Sequence, residues 1–240
     1  MDCDNVMSMK LANFDAATAL KDTPKTKEGA IGLYDAWSST YDRDLTAWGY
    51  PSPRRIAEIL SALCASPGVS TPSRAEPLLD CGCGTGLSGE ALRDAGFTSR
   101  VGTDISSASL SVLRERKPDV YRLTQSCDLD EVLPFDDASF AFVTCVGVLG
   151  YVAEIPSLFA EWRRVVQPGG VVAFSRVASR DAADEKGSRS AAAAAVDAGE
   201  WELLYESEGA GEDYLPENPE PGERGLKVKY YVYRSTPRVL

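Results

Sequence analysis

Three glycines at alternate positions, in Asp80-Cys81-Gly82-Cys83-Gly84-Thr85-Gly86, are the residues of this sequence best suited to cradle a ligand. Backbone without Cβ atoms can turn tightly and approach a bound group that side chains would repel. A helix opening at about Gly86 would point its free N–H groups at an anionic part of that ligand. Asp104 ends the next predicted strand, where a carboxylate can accept both hydroxyls of a ribose. It can equally cap the helix that begins at Ser106. The spacing is G-x-G-x-G, whereas dinucleotide-binding loops prefer G-x-G-x-x-G.

Other chemistries are poorly supplied. The chain has no histidine, so the commonest general base and metal ligand are missing, and no metal site is expected. Its six cysteines are scattered without a CxxC pair, which argues against zinc and against a disulfide framework. Cys81 and Cys83 fill variable positions of the glycine loop, and Cys127 and Cys145 read as small buried hydrophobes.

The elements that would position these residues alternate between strand and helix. Leu78 to Cys81 is a buried strand, Leu87 to Ala95 a helix closed by Gly96, and Arg100 to Asp104 a second strand. A helix over Ser106 to Arg116 ends before Pro118. Tyr121 to Thr124 is a weak third strand, and Phe140 to Cys145 is an apolar fourth, suited to a sheet covered on both faces. Ile155 to Val166 is a helix with Leu158, Phe159 and Trp162 inward, and Pro168-Gly169-Gly170 turns into a fifth strand, Val171 to Val177. This order predicts a doubly wound α/β domain. Upstream, Ala30 to Trp48 is helix-compatible, with Tyr34, Trp37, Tyr41 and Leu45 at spacings of three and four. Arg54 to Cys64 follows as a helix after Pro51 and Pro53. Downstream, Ala191 to Ala195 lies in a helix, and Trp201 to Ser207 and Leu226 to Arg234 are strands. The organisation expected is an N-terminal arm over 1–28 and one domain over 29–240, with a helical cap over 29–66 and an acidic insertion or lid over 208–225.

Composition limits the function. At 44% hydrophobic and 25% charged, the chain is an ordinary globular protein. A net charge of −11 disfavours nucleic acid, which calls for clustered Lys and Arg. No run approaches the ~20 apolar residues of a membrane span. The first ten residues, with Asp2 and Asp4, lack a signal-peptide core, so a cytoplasmic location is expected.

Beyond the glycine loop and Asp104, two further segments complete a set. Asp128-Leu129, followed by Leu133-Pro134-Phe135 and Ser139-Phe140, resembles an adenine-side segment, and Arg164-Val165-Val166-Gln167-Pro168-Gly169-Gly170 resembles an "R-V-L-K-P-G-G" turn. In this order they resemble the class I S-adenosylmethionine-dependent methyltransferases, type 11/25-like, from about Tyr34 to Arg234. Tyr34-Asp35-x-Trp37 through Tyr41-Asp42, with Val148-Leu149-Gly150-Tyr151-Val152, resemble the branch of the Williams–Beuren-region methyltransferase. The resemblance implies a Rossmann-like sheet of seven mostly parallel strands, a C-terminal antiparallel strand and an N-terminal helical cap. It implies that Gly82, Gly84 and Gly86 bind S-adenosylmethionine with Asp80, that Asp80 and Gly82 lie near its amino-acid end, and that Tyr41 covers its carboxylate. Asp104 would take the ribose and Ile105 would pack on the adenine. Asp128 would accept from the adenine amino group beside Cys127 and Leu129, and Cys145 would stand near the sulfonium.

Methyl transfer from a sulfonium is an in-line displacement that depends on alignment, so no catalytic residue is singled out. The acceptor pocket is expected beyond the carboxyl ends of the strands. Its candidate lining is Tyr34, Trp37, Tyr50, Tyr151 and Tyr214, where rings and acids would suit an amine or cationic small molecule. Tyr34 and Trp37 could instead pack the cap onto the sheet. Three alternatives remain open at this point: a protein or nucleic-acid acceptor, a cofactor-binding protein without catalysis, and a nicotinamide enzyme. A monomer or homodimer is compatible with all of them.

Overall fold

The computed structural model describes residues 15–21, 26–177 and 187–237. Four helices come first: α1 (Ala16–Lys21), α2 (Lys27–Trp37), α3 (Tyr41–Ala47) and α4 (Ser52–Ala65). The alternating part follows as β1 (Pro77–Cys81), α5 (Leu87–Asp94), β2 (Ser99–Asp104), α6 (Ser107–Arg116), β3 (Leu123–Ser126), β4 (Phe140–Cys145), α7 (Ile155–Val165) and β5 (Val166–Val177). The chain closes with α8 (Ser188–Asp197), β6 (Trp201–Glu206), β7 (Glu212–Asp213), α9 (Pro221–Arg224) and β8 (Lys227–Ser235).

Seven strands lie in the order β3-β2-β1-β4-β5-β8-β6, and the two-residue β7 pairs with β8 off this path. The pairings from β3 to β5 are parallel, and β8 runs antiparallel to both β5 and β6. The chain direction reverses at β1, because β2 and β4 flank it on opposite sides. In a doubly wound sheet this switch point opens a crevice at the carboxyl ends of the strands.

Both faces of the sheet's centre are covered by helices. Every residue of β4 is buried. Strand β8 separates the faces by strict alternation. Val228, Tyr230 and Val232 join Ile56 and Leu60 of α4 and Leu92 of α5, while Tyr231 and Tyr233 join Phe159 and Trp162 of α7 and Ala192 of α8. Phe174 stacks on Tyr231 and Tyr233 with centroids 5.4 and 5.9 Å apart.

The structure departs from the sequence reading at three places. The third strand is Leu123–Ser126, two residues later than expected, because Tyr121 turns inward to a buried partner instead of pairing. The helix-compatible stretch 30–48 is two helices, interrupted at Ser38–Thr40. There Asp44 accepts from Thr40 Oγ1 (2.8 Å) and Trp37 Nε1 (2.9 Å), so a local polar contact fastens the break. The turn at Pro168-Gly169-Gly170 lies inside a β5 that already pairs Val166 with Phe140, and the register shifts before Phe142. Residues 178–186, upstream of the helix expected around Ala191 to Ala195, lie outside the described residues, as do residues 1–14 and 22–25 of the arm.

The segment 208–225 packs inward at its middle. Leu215 is fully buried in a cluster with Leu20, Trp37, Leu45 and Trp48, and Glu217 N donates to Trp48 O. Leu215→Ala is therefore expected to cost about 2–5 kcal/mol of unfolding free energy. Urea denaturation followed by tryptophan fluorescence would measure this, and a loss within a few tenths of a kcal/mol would contradict the packing.

Candidate functional site

The glycine loop crosses the carboxyl end of β1 and is fastened at several points. Gly82 N and Cys83 N both donate to Thr103 O at the end of β2, at 2.7 and 2.9 Å. Gly84 N donates to Asp104 Oδ2 (2.8 Å). Gly82, Gly84 and Gly86 all have positive φ, at 73°, 51° and 95°, a backbone state that side chains disfavour. Gly82 has no room for a side chain either, since an added Cβ would sit 2.2 Å from Val148 Cγ2.

A cavity opens above this loop. Its floor is Gly82, Gly84, Thr85, Asp104 and Ile105. One wall is Cys127, Asp128, Leu129 and Asp130, another is Val146, Gly147, Val148, Tyr151 and Val152, and Lys27, Ala30, Ile31, Tyr34 and Tyr41 of the cap form the roof. Three carboxylates, Asp104, Asp128 and Asp130, and three tyrosines, Tyr34, Tyr41 and Tyr151, thus line one cavity.

Asp104 is held rigidly. Its Oδ1 accepts from Ser106 N and its Oδ2 from Gly84 N, both at 2.8 Å. The cap of α6 is Ser106 itself, whose Oγ accepts from Ser109 N. Each Asp104 oxygen uses one lone pair in this way, and a carboxylate oxygen has two. Burial raises the Asp104 carboxyl above its ordinary range, against the two backbone donors. Asp128 Oδ1 accepts from Asp130 N (3.0 Å), and its Oδ2 lies 2.5 Å from Lys27 Nζ.

The roof is tied down along its length. Ser106 Oγ donates to Asp35 Oδ1 (2.6 Å), Thr85 Oγ1 to Asp42 Oδ1 (2.5 Å), and Lys117 Nζ stands 2.7 Å from Asp42 and 2.5 Å from Glu90. The hydroxyls of Tyr34 and Tyr151 are 2.9 Å apart. Burial pushes the hydroxyls of Tyr34, Tyr41 and Tyr50 well above the usual phenol value.

Of the residues expected at the site, Tyr34, Tyr41, Gly82, Gly84, Asp104, Ile105, Cys127, Asp128, Leu129 and Tyr151 line the cavity. The others lie behind it. Asp80 is fully buried beneath the loop, its Oδ2 accepting from Ser88 Oγ and Tyr121 OH (both 2.5 Å) and its Oδ1 from Thr144 Oγ1 (2.8 Å). Cys145 is fully buried opposite Cys81, and desolvation holds its thiol protonated. Gly86 precedes α5, with the side of its Cα against Leu113. Trp37 is 1% exposed and stacks among Tyr34, Tyr41 and Trp48, so packing is its observed role. Tyr50 and Tyr214 pack on each other at 5.4 Å, the Tyr50 hydroxyl lying against Gly147. The sequence reading missed Lys27, Thr85, Ser106 and Asp130. A cation at the first position of α2, where the helix dipole disfavours it, was a signal for Lys27.

The buried contacts of Asp80 make it a test of the site's foundation. Burial raises the Asp80 carboxyl despite its three donors. A carboxyl raised in the folded state binds its proton longer there, so its contribution to stability falls as pH rises from the ordinary carboxylate range through the raised value. Tyr121→Phe removes one donor and is expected to cost about 1–3 kcal/mol near neutral pH. The cost should shrink as Asp80 is protonated. Urea unfolding at neutral and acid pH would measure both, and an equal cost at the two pH values would separate Tyr121 from Asp80.

Residues 79–174 match the methyltransferase domain family. Human methyltransferase-like protein 27 is 32% identical over 146 residues, 60% of this chain and 56% of that one. A ubiquinone/menaquinone biosynthesis C-methyltransferase of Ralstonia nicotianae is 35% identical over 162 residues, 64% of this chain and 63% of that one. The matches thus span little more than half the length of these curated relatives. The crystal structure of an S-adenosylmethionine-dependent methyltransferase from Mesorhizobium loti superposes with a TM-score of 0.54 at 19% identity, covering 74% of this chain and 97% of that one, a likeness of fold. The loop, the strand order and these matches agree: residues 79–174 match a methyltransferase domain, and the chain is similar to S-adenosylmethionine-dependent methyltransferases.

Proposed function

We propose that this chain transfers the methyl group of S-adenosylmethionine to a small-molecule acceptor. The observation that carries this reading is the lining of one cavity over the glycine loop, where fixed carboxylates and tyrosine rings meet. The Gly84 backbone approaches to where an added Cβ would stand 4.0 Å from Asp104 Oδ2, leaving space that suits a ribose. In this reading Asp104 accepts the ribose hydroxyls, Ile105 and Leu129 sandwich the adenine, and Asp128 faces its amino group. Gly82 and Gly84 let the amino-acid portion lie against backbone, and Tyr41 covers it.

The bound cofactor supplies an already activated methyl group on a sulfonium. The chain's own contribution is alignment and exclusion of water, which is worth on the order of 7–11 kcal/mol in favourable cases. Tyr34, Tyr41 and Tyr151 offer ring faces that suit an amine or cationic acceptor, or an aromatic one. The Ralstonia relative is named for C-methylation in quinone biosynthesis, which fits a cavity lined by these rings. The Tyr34 and Tyr41 hydroxyls, raised by burial, stay protonated near neutral pH and serve as hydrogen-bonding groups rather than bases. The acidic chain favours a small acceptor over nucleic acid. No described helix is long and apolar enough to cross a membrane, which fits the cytoplasmic location we propose.

Asp104→Ala should weaken binding of S-adenosylhomocysteine at least about tenfold, since two hydrogen bonds to a charged group are lost. Calorimetric titration would measure it, and unchanged affinity would remove the ribose assignment. The wild-type affinity should also fall as pH is lowered through the raised Asp104 value, because protonation removes an acceptor. A screen of amine, phenol and quinol acceptors with product detection by mass tests the transfer itself. Binding of the cofactor with no methylated product from any class would leave a binding protein.

A further inference from the structure

Lys27 stands where elementary helix electrostatics disfavours it. It is the first residue of α2, next to the N-cap Thr26, at the positive end of the helix dipole. What holds it there lies across the cavity: its Nζ is 2.5 Å from Asp128 Oδ2 and 3.9 Å from Asp130 Oδ2. Lys27 lines the cavity itself, and among the described residues it is the only cation that does. Asp128 Oδ1 meanwhile accepts from Asp130 N, so each oxygen of Asp128 already has one partner within the chain, and the partner of Oδ2 is a charged group inside the cavity.

The proposed function needs Asp128 for the adenine amino group, a neutral donor that would approach from the cavity. Lys27 and the adenine therefore draw on the same carboxylate. We propose that Lys27 is a charged plug at the adenine end, which competes with the cofactor for Asp128 and must swing away for the nucleoside to seat. The inference rests on the cofactor reading of this cavity and adds a residue that sets affinity and exchange.

The ion pair is partly exposed, with Lys27 at 38% and Asp128 at 25% side-chain exposure, so its strength is modest and salt-sensitive. Both properties can be measured. S-adenosylhomocysteine is titrated calorimetrically into the wild-type chain, Lys27→Met and Lys27→Arg, at low and at high salt, with circular dichroism as the check on folding. Lys27→Met keeps the aliphatic stem and removes the charge, and it relieves the clash with the helix dipole. It should bind about two- to fivefold more tightly than wild type at low salt. The difference should close at high salt, where the wild-type plug is screened, and Lys27→Arg should behave like wild type. Stopped-flow mixing should show faster association for Lys27→Met. Equal or weaker binding by Lys27→Met at low salt would overturn the plug while leaving the cofactor site standing. Absence of binding by all three chains would overturn the cofactor reading, and the plug with it.

Discussion

The glycine loop rests on a carboxylate buried beneath it. Asp80 is buried at the end of β1, and taking an unpaired carboxylate out of water costs several kcal/mol. Three hydroxyls offset that cost, and each comes from a different element. Ser88 is in the first turn of α5, Tyr121 lies just before β3, and Thr144 is in β4. The pair Asp80–Ser88 spans the glycine loop from the strand before it to the helix after it. The loop's ends are therefore fixed independently of its own flexible glycines. Its middle is fixed by Thr103 O and Asp104, both at the end of β2. The neighbouring strands of the switch point thus position one seven-residue segment.

The cap depends on burial more than on its visible ion pairs. Arg43–Asp44, Lys27–Asp128 and Asp42–Lys117 are all partly exposed, and such pairs contribute about 0–1 kcal/mol each. Trp37, Leu45, Trp48 and Leu215, by contrast, are almost wholly removed from water. A fully buried side chain of this kind contributes about 1.5–3 kcal/mol. The hydrophobic cluster holds the cap, and the polar contacts choose where it sits over the cavity. Tyr34 belongs to both sets, since its ring packs on Trp37 and its hydroxyl meets Tyr151 across the opening.

The frame of the fold was legible because its signals are local. Apolar runs, the alternate glycines and the Gly and Pro punctuation each lie within one element, and they gave the strands and helices in order. What was not legible depends on partners distant in sequence. Asp80 meets Tyr121 41 residues away and Thr144 64 residues away, so nothing near Asp80 tells a buried foundation from a ligand contact. Tyr121 misled the strand boundary for the same reason. The break after Trp37 was within reach, because Ser38-Ser39-Thr40 is a run of residues whose side chains bond local backbone and compete with helix. Trp37 then reads as core rather than acceptor lining, once its helix ends under α3.

The cavity's charge also gives the proposed reaction a direction. Asp104, Asp128 and Asp130 face one lysine, in a chain whose net charge is −11, so the local field favours a cation. S-adenosylmethionine carries a sulfonium and an ammonium against one carboxylate, a net positive charge. Once the methyl group has left, the sulfur is a neutral thioether and the net charge is zero. The same carboxylates that draw in the methyl donor therefore hold the spent cofactor less strongly. Hydrogen bonds to ribose and adenine do not change on transfer, so they fix the position of both forms alike. In the proposed reading, charge and shape are divided between the two tasks: the fixed acceptors Asp104 and Asp128 set where the nucleoside lies, and the sum of the charges separates donor from product.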